Sequence, residues 1–187
     1  MSINKKEVKE HLLASIPSHF VDPATNLKPS GERELSALLG LFHLKSLVKW
    51  EQVPVYKSDN TLANKNAMSI IAKEGILSCE YPLFAANQQE VNIWGQMTSD
   101  LLYINKEASI IAIIENKIGS DFTSGGNDVD TGQLSRQAEY LIKTDFTKKY
   151  LLILSSKEFF NADWYCSVLR NTLFYKNRYK TVDSYLL

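Results

Sequence analysis

The stretch from Thr98 to Lys117 limits the possible folds more than any other part of the chain. It reads as two apolar strands joined by a short polar turn at Asn105, Lys106 and Glu107. The second strand holds an unbroken apolar run, Ile110 to Ile114, and then stops on Glu115-Asn116-Lys117. A strand without polar alternation belongs in a sheet that is covered on both faces. Asp100 opens the first strand, so three charges sit at the ends of strands too apolar to face water. Residues i and i+2 of a strand share a face, which sends Glu115 and Lys117 to one side and Asn116 to the other. Pairing as a hairpin brings Asp100 back to Glu115. Two carboxylates and an ammonium then share one small volume.

The flanking segments predict what covers such a sheet. A helix from Gly31 to about Trp50, capped by Ser30 after Pro29, buries Leu35, Leu38, Leu39 and Phe42 at three-and-four spacing. One turn back, the same face reaches Glu32, whereas Glu34 lies about a right angle away. Upstream, a helix over 3–16 and a proline-bearing connector over 17–30 are expected. A second helix is expected over 59–75, with Ala63, Ala67, Ile70 and Ile71 inward and Gly75 as its stop. Ile76 to Phe84, interrupted by Pro82, suits an edge strand, and 91–97 alternates enough for another. A polar, glycine-rich loop over 119–132 follows the hairpin and has the character of a functional loop. Then come a helix over 133–143, a buried strand over 149–155 and a helix over 162–175. The connection from 108–117 through 133–143 to 149–155 is a βαβ crossover, so its two strands run parallel and adjacent. The expected class is α/β, a mixed sheet with helices on both faces, in a single domain over 1–187 that ends in a helical extension over 156–187.

Composition then narrows the function classes. With 44% hydrophobic and 22% charged residues the chain falls in the globular range. Its formal net charge is zero, so any basic surface has to be local. Arg170, Lys176, Arg178 and Lys180, interleaved with Tyr175 and Tyr179, form one such stretch, for which a solvated basic tail is the ordinary explanation. Cys79 and Cys166 lack metal-ligand spacing and read as buried, reduced thiols. No apolar run approaches the roughly 18 residues of a membrane span, so the expectation is a cytoplasmic protein without a membrane partner. His11, His19 and His43 show no ligand spacing, and His43 reads as a helix-surface residue.

Two carboxylates at neighbouring strand ends can take a hard cation through oxygen, Mg²⁺ first and Mn²⁺ as its substitute. Lys117 beside them can offset negative charge developing on a phosphate. That combination suits phosphodiester hydrolysis. Asp100 followed by Glu115-Asn116-Lys117 resembles the PD-(D/E)XK nuclease superfamily, the restriction-endonuclease-like proteins, with Ser99 where that motif has proline. The resemblance covers about two-thirds of the chain and implies a core of helix, three strands, helix and strand (αβββαβ). It implies metal binding by Asp100 and Glu115, with the Asn116 carbonyl and Glu32 completing the shell and Glu34 as second choice for the helix acid. Lys117 would stabilise the transition state or position the water. Gln133 is carried over from the exonuclease-like branches, where a glutamine on the next helix joins the site. Gln137 stands where those branches place tyrosine, and Gln133, Gln137 and Tyr140 share a helix face by spacing. Arg136 nearby can contact phosphate.

The implied activity is a Mg²⁺-dependent nuclease, DNA ahead of RNA and endonuclease ahead of exonuclease, with a homodimer suiting the cutting of two strands. Two other readings stand beside it. One is a non-catalytic member of the same fold that binds nucleic acid or a protein partner. The other is an unrelated α/β protein in which the charges form a structural ion pair.

Overall fold

In chain order the elements are α1 (Glu32–Leu44), β1 (Pro54–Tyr56), β2 (Leu62–Asn66), β3 (Ile76–Leu83), β4 (Met97–Asn105), β5 (Ile110–Lys117), α2 (Gln133–Lys143), β6 (Lys148–Ser155) and β7 (Val182–Leu186). Single 3-10 turns occur at Trp50–Gln52 and Ala67–Ser69. This is a computed structural model that describes residues 32–57, 61–83, 97–117, 133–155 and 181–187. The strands form one seven-stranded mixed sheet in the order β2-β1-β7-β6-β5-β4-β3. β5, β6 and β7 run parallel to one another, and every other neighbouring pair is antiparallel.

The apolar run of the sequence becomes a central strand, with β5 buried at every position. Ile111 and Ile113 pack on one side with Leu134, Ala138 and Leu141 of α2. Ala112 and Ile114 pack on the other with Leu39 of α1. Each isoleucine removed from water in this way contributes about 1.5–3 kcal/mol, which is why the run tolerates no polar alternation. α1 lies over β3, β4 and β5, and α2 reaches β5, β6 and β7, one helix on each face.

Local chemistry sets the element ends. The β4–β5 connection turns where the Asn105 side chain accepts the Ala108 amide at 3.0 Å and Ser109 takes a positive φ of 51°. α1 stops at Leu44, short of the expected Trp50. Ser46 adopts a φ of 56°, while the amides of Ser46 and Leu47 bond to the carbonyls of His43 and Phe42. That is a Schellman stop with serine in glycine's usual place. α2 spans the expected residues, and Lys149 Nζ covers its last carbonyls, Ile142 at 2.8 Å and Thr144 at 2.6 Å. The crossover pairs β5 with β6 in parallel from Ile110↔Lys148 to Lys117↔Ser155, as the sequence pattern requires. β3 is an edge strand, where Pro82 costs no interior ladder bond.

Several expectations are corrected. The helix expected over 59–75 is absent from its described part, residues 61–75. Leu62–Asn66 is a strand paired with β1, and the Asn66 side chain then accepts the Ser69 amide at 3.3 Å to start a 3-10 turn. The inward set, Ala63, Ala67, Ile70 and Ile71, is buried all the same. Gly75 is not a helix stop; it lies against the Tyr103 ring, which a Cβ there would strike. The extension over 156–187 does not end in helix, because Val182–Leu186 is a strand between β6 and β1, with Leu186 and Leu187 buried. Cys79, expected to be buried, is an exposed residue whose thiol turns in to donate to the Ser36 carbonyl at 3.4 Å. His43 is not on the surface. It is buried, accepting Trp50 Nε1–H on Nδ1 at 3.0 Å. Its Nε2 is then the protonated nitrogen and donates to the Gly75 carbonyl at 3.1 Å. The expected helices over 3–16 and 162–175, the connector over 17–30 with its Ser30 cap, the strand over 91–97 apart from Met97, the loop over 119–132, Phe84, Cys166, His11, His19 and the basic stretch from Arg170 to Lys180 lie outside the described residues. No helix among the described residues is long and apolar enough to cross a membrane.

Candidate functional site at the end of β5

Asp100 does not open its strand as expected, because β4 starts three residues earlier at Met97. The antiparallel register of β4 and β5 runs to Leu101↔Ile114, and continuing it one step sets Asp100 opposite Glu115. Side chains directly opposite in such a ladder lie on the same face. The Asn116 amide donates to Asp100 Oδ2 at 2.8 Å, which ties the aspartate to the end of β5. The same alternation that buries Ile111 and Ile113 against α2 carries Glu115 and Lys117 to that face. Asn116 turns the other way and donates its side-chain amide to Ser36 Oγ of α1 at 2.7 Å. Any role for Asn116 beside Glu115 therefore falls to its backbone.

Glu115 is the hub, at 1% exposure. Its Oε1 accepts from Lys117 Nζ at 2.9 Å and from Gln133 Nε2. Its Oε2 accepts from Gln137 Nε2 at 2.7 Å. Both oxygens thus act as acceptors, the pattern of the ionised carboxylate. Burial of the pair is deep, and the side chains of Lys117 and Glu115 are 4% and 2% exposed. Ser155 at the end of β6 donates its hydroxyl to the Lys117 carbonyl, fixing the neighbouring strand end. The cluster lies at the carboxyl ends of the parallel strands β5 and β6, where open α/β sheets commonly hold ligands.

The structure brings Asp100, Glu115, Lys117 and Gln133 together. Glu32 opens α1, one turn before Ser36, and the side chains of Glu32 and Glu34 lie outside the described residues. Arg136 is half-buried on α2. Tyr140 packs against the α2-side core, and burial, with Tyr81 nearby, raises its hydroxyl above the ordinary tyrosine value, so it stays a neutral phenol.

Two participants lie beyond the site residues expected from the sequence. Gln137, expected only to share a helix face with Gln133, is fully buried and holds Glu115. Ser36 is fully buried and anchors Asn116. Its signal is a small polar residue on the apolar face set by Leu35 and Leu39.

The donor set consists of hard oxygens. Asp100 and Glu115 supply two carboxylates. Beside them the buried amide oxygens of Gln133 and Gln137 have no hydrogen-bond partner among the described residues. No three His, Cys, Asp or Glu side chains gather there into a fuller cage among the described residues. Magnesium is commonly held by one or two carboxylates, with waters and substrate phosphate filling the remaining positions. The residues present fit that kind of open site and not a closed structural one.

Comparison with known proteins finds no match: no family model, no curated protein and no solved structure corresponds to this chain.

Proposed function

We propose that this protein is a divalent-cation-dependent nuclease that hydrolyses phosphodiester bonds in nucleic acid, with DNA as the substrate implied by the motif. The observation that carries the reading is the gathering of Asp100, from within β4, with Glu115 and Lys117 at the end of β5, Lys117 Nζ lying 2.9 Å from Glu115 Oε1 and Asp100 accepting the Asn116 amide. On this reading α1, β3, β4, β5, α2 and β6 are a restriction-endonuclease-like core, and β7, β1 and β2 extend its sheet.

Asp100 and Glu115 would hold the cation, Mg²⁺ or Mn²⁺. When bound, it supplies Lewis-acid polarisation of the phosphoryl group and a more acidic water. The protein groups do the rest. Gln133 and Gln137 fix the direction of the Glu115 carboxylate through their N–H bonds. Lys117 sets a buried positive charge beside the reacting phosphate, where charge builds in the transition state and low polarity strengthens its effect. The Asn116 amide keeps Asp100 aimed at the end of β5.

A second reading, a non-catalytic module that binds nucleic acid or a protein partner, draws on one observation: Glu115 already accepts three donors and is almost fully buried. One assay separates the two. Purified protein is incubated with linear duplex, circular duplex and single-stranded DNA in Mg²⁺ or Mn²⁺, with and without a chelator. Cleavage that the chelator abolishes is expected. Binding in a gel shift without cleavage in either cation would favour the second reading, and chelator-insensitive cleavage would refute both the metal role and its ligands.

A further inference from the structure

Gln137 is a buried amide for which the sheet has no structural need. Of the other α2 residues at this depth, Leu134, Ala138 and Leu141 are apolar and pack the core, and Ser135 carries only a small hydroxyl. Gln137 is as deeply buried as they are, at 0% exposure. It spends its amide nitrogen on Glu115 Oε2 at 2.7 Å and leaves its own Oε1 without a partner among the described residues. Gln133, one turn earlier on the same helix, holds the opposite oxygen of the same carboxylate and likewise leaves its Oε1 unpartnered. An unpaired buried carbonyl oxygen is unfavourable, and an apolar side chain of the same length would avoid it. Two such oxygens, one turn apart and attached to one carboxylate, mark a place arranged around Glu115 and whatever Glu115 holds.

We infer that Gln137 is a positioning residue that sets the affinity of Glu115 for a divalent cation. The inference rests on the nuclease reading, which supplies the cation. Gln133 and Lys117 grip Oε1, and Gln137 alone among the described residues grips Oε2. A carboxylate held at one oxygen can still swing about its last torsion; held at both it cannot. Gln137 therefore decides whether Glu115 presents a fixed edge toward Asp100. Supporting partners of this kind commonly change metal affinity by about 10–100-fold when removed.

The test uses the full chain and the metals alone. Wild type, Gln137→Met and Glu115→Gln are titrated calorimetrically with Ca²⁺ and with Mg²⁺ in the absence of nucleic acid, and thermal unfolding is recorded for each. The expected result is cation binding that Glu115→Gln abolishes and that Gln137→Met weakens by about 10–100-fold, while Gln137→Met still unfolds cooperatively, with a midpoint lowered because Glu115 Oε2 loses its donor. Unchanged affinity in the folded Gln137→Met protein, whatever its midpoint, would make Gln137 a packing residue and overturn the inference, leaving the nuclease reading intact. Cation binding that Glu115→Gln does not disturb, or none in wild type, would overturn both. Should Gln137→Met fail to fold, Gln137→Asn, which retracts the amide by one methylene, provides the same reading.

Discussion

Replacing Lys117 with methionine tests whether the site charges are an integral part of the core. Methionine keeps the length of the side chain and much of its apolar stem but removes the ammonium. Lys117 and Glu115 are 4% and 2% exposed, with Nζ 2.9 Å from Oε1. Breaking a buried pair at one end strands the other charge, a loss of about 3–5 kcal/mol. The two amide donors that remain on Glu115 soften the loss, so the lower end, about 3 kcal/mol, is expected. Adding Glu115→Gln to Lys117→Met removes the stranded charge and keeps a side chain of the same shape. The double variant should then recover most of that stability, since neutral replacement of both partners is often close to neutral overall. Urea unfolding followed by tryptophan fluorescence reads all three proteins, with an unchanged denaturant slope as the sign that only stability has moved. A loss below about 1 kcal/mol in the single variant, the behaviour of an exposed pair, would refute the reasoning. So would a double variant no more stable than Lys117→Met alone.

Further predictions come from other parts of the fold. Ser46→Gly should raise stability by up to about 1 kcal/mol, because Ser46 is exposed and occupies a left-handed conformation at the end of α1; a lower midpoint in urea would contradict the helix-stop account. Trp50→Phe should cost about 1–3 kcal/mol by removing the indole N–H from His43 Nδ1 and leaving that buried nitrogen without its donor; an unperturbed unfolding curve would count against the buried His43 network. The Cys79 thiol is raised above its ordinary value, first by burial and then by the charge of Glu80. Less thiolate is thus present at pH 8 than in a free cysteine, and the Cys79 peptide, followed by mass spectrometry, should alkylate with a midpoint above that of the unfolded chain. A midpoint at or below that of the unfolded chain would show the sign to be wrong.

The strongest local patterns in the sequence are also the best reproduced parts of the fold. β5 and α2 appear where they are expected because an unbroken apolar run and a three-and-four pattern each admit one placement. The segment from Leu62 to Ile71 misleads because its apolar spacing fits a helix and equally fits a strand followed by a 3-10 turn. Its pairing with β1 decides between them, and that partner is only three residues long, too short to announce itself as a strand. β7 is hidden for the same reason: Val182 and Leu186 become core only when β6 and β1 flank them. His43 looks like a surface residue until Trp50 and the Gly75 carbonyl supply both of its partners. At the site, strand alternation is enough to put Glu115 and Lys117 on one face and Asn116 on the other. The depth of Gln137 depends on how α2 is rotated against the sheet, which its own spacing does not specify.

The most direct test of the proposed function compares wild type with Glu115→Gln in the same DNA cleavage reaction in Mg²⁺, after thermal unfolding has shown both to be folded. Glu115→Gln keeps the shape of the hub and an acceptor oxygen for its donors while removing the charge. The account predicts that wild type cuts and that the variant loses more than about 100-fold in rate, beyond what removal of a supporting partner alone commonly costs. A folded wild type that cuts nothing, or a Glu115→Gln variant that cuts as fast as wild type, would contradict it.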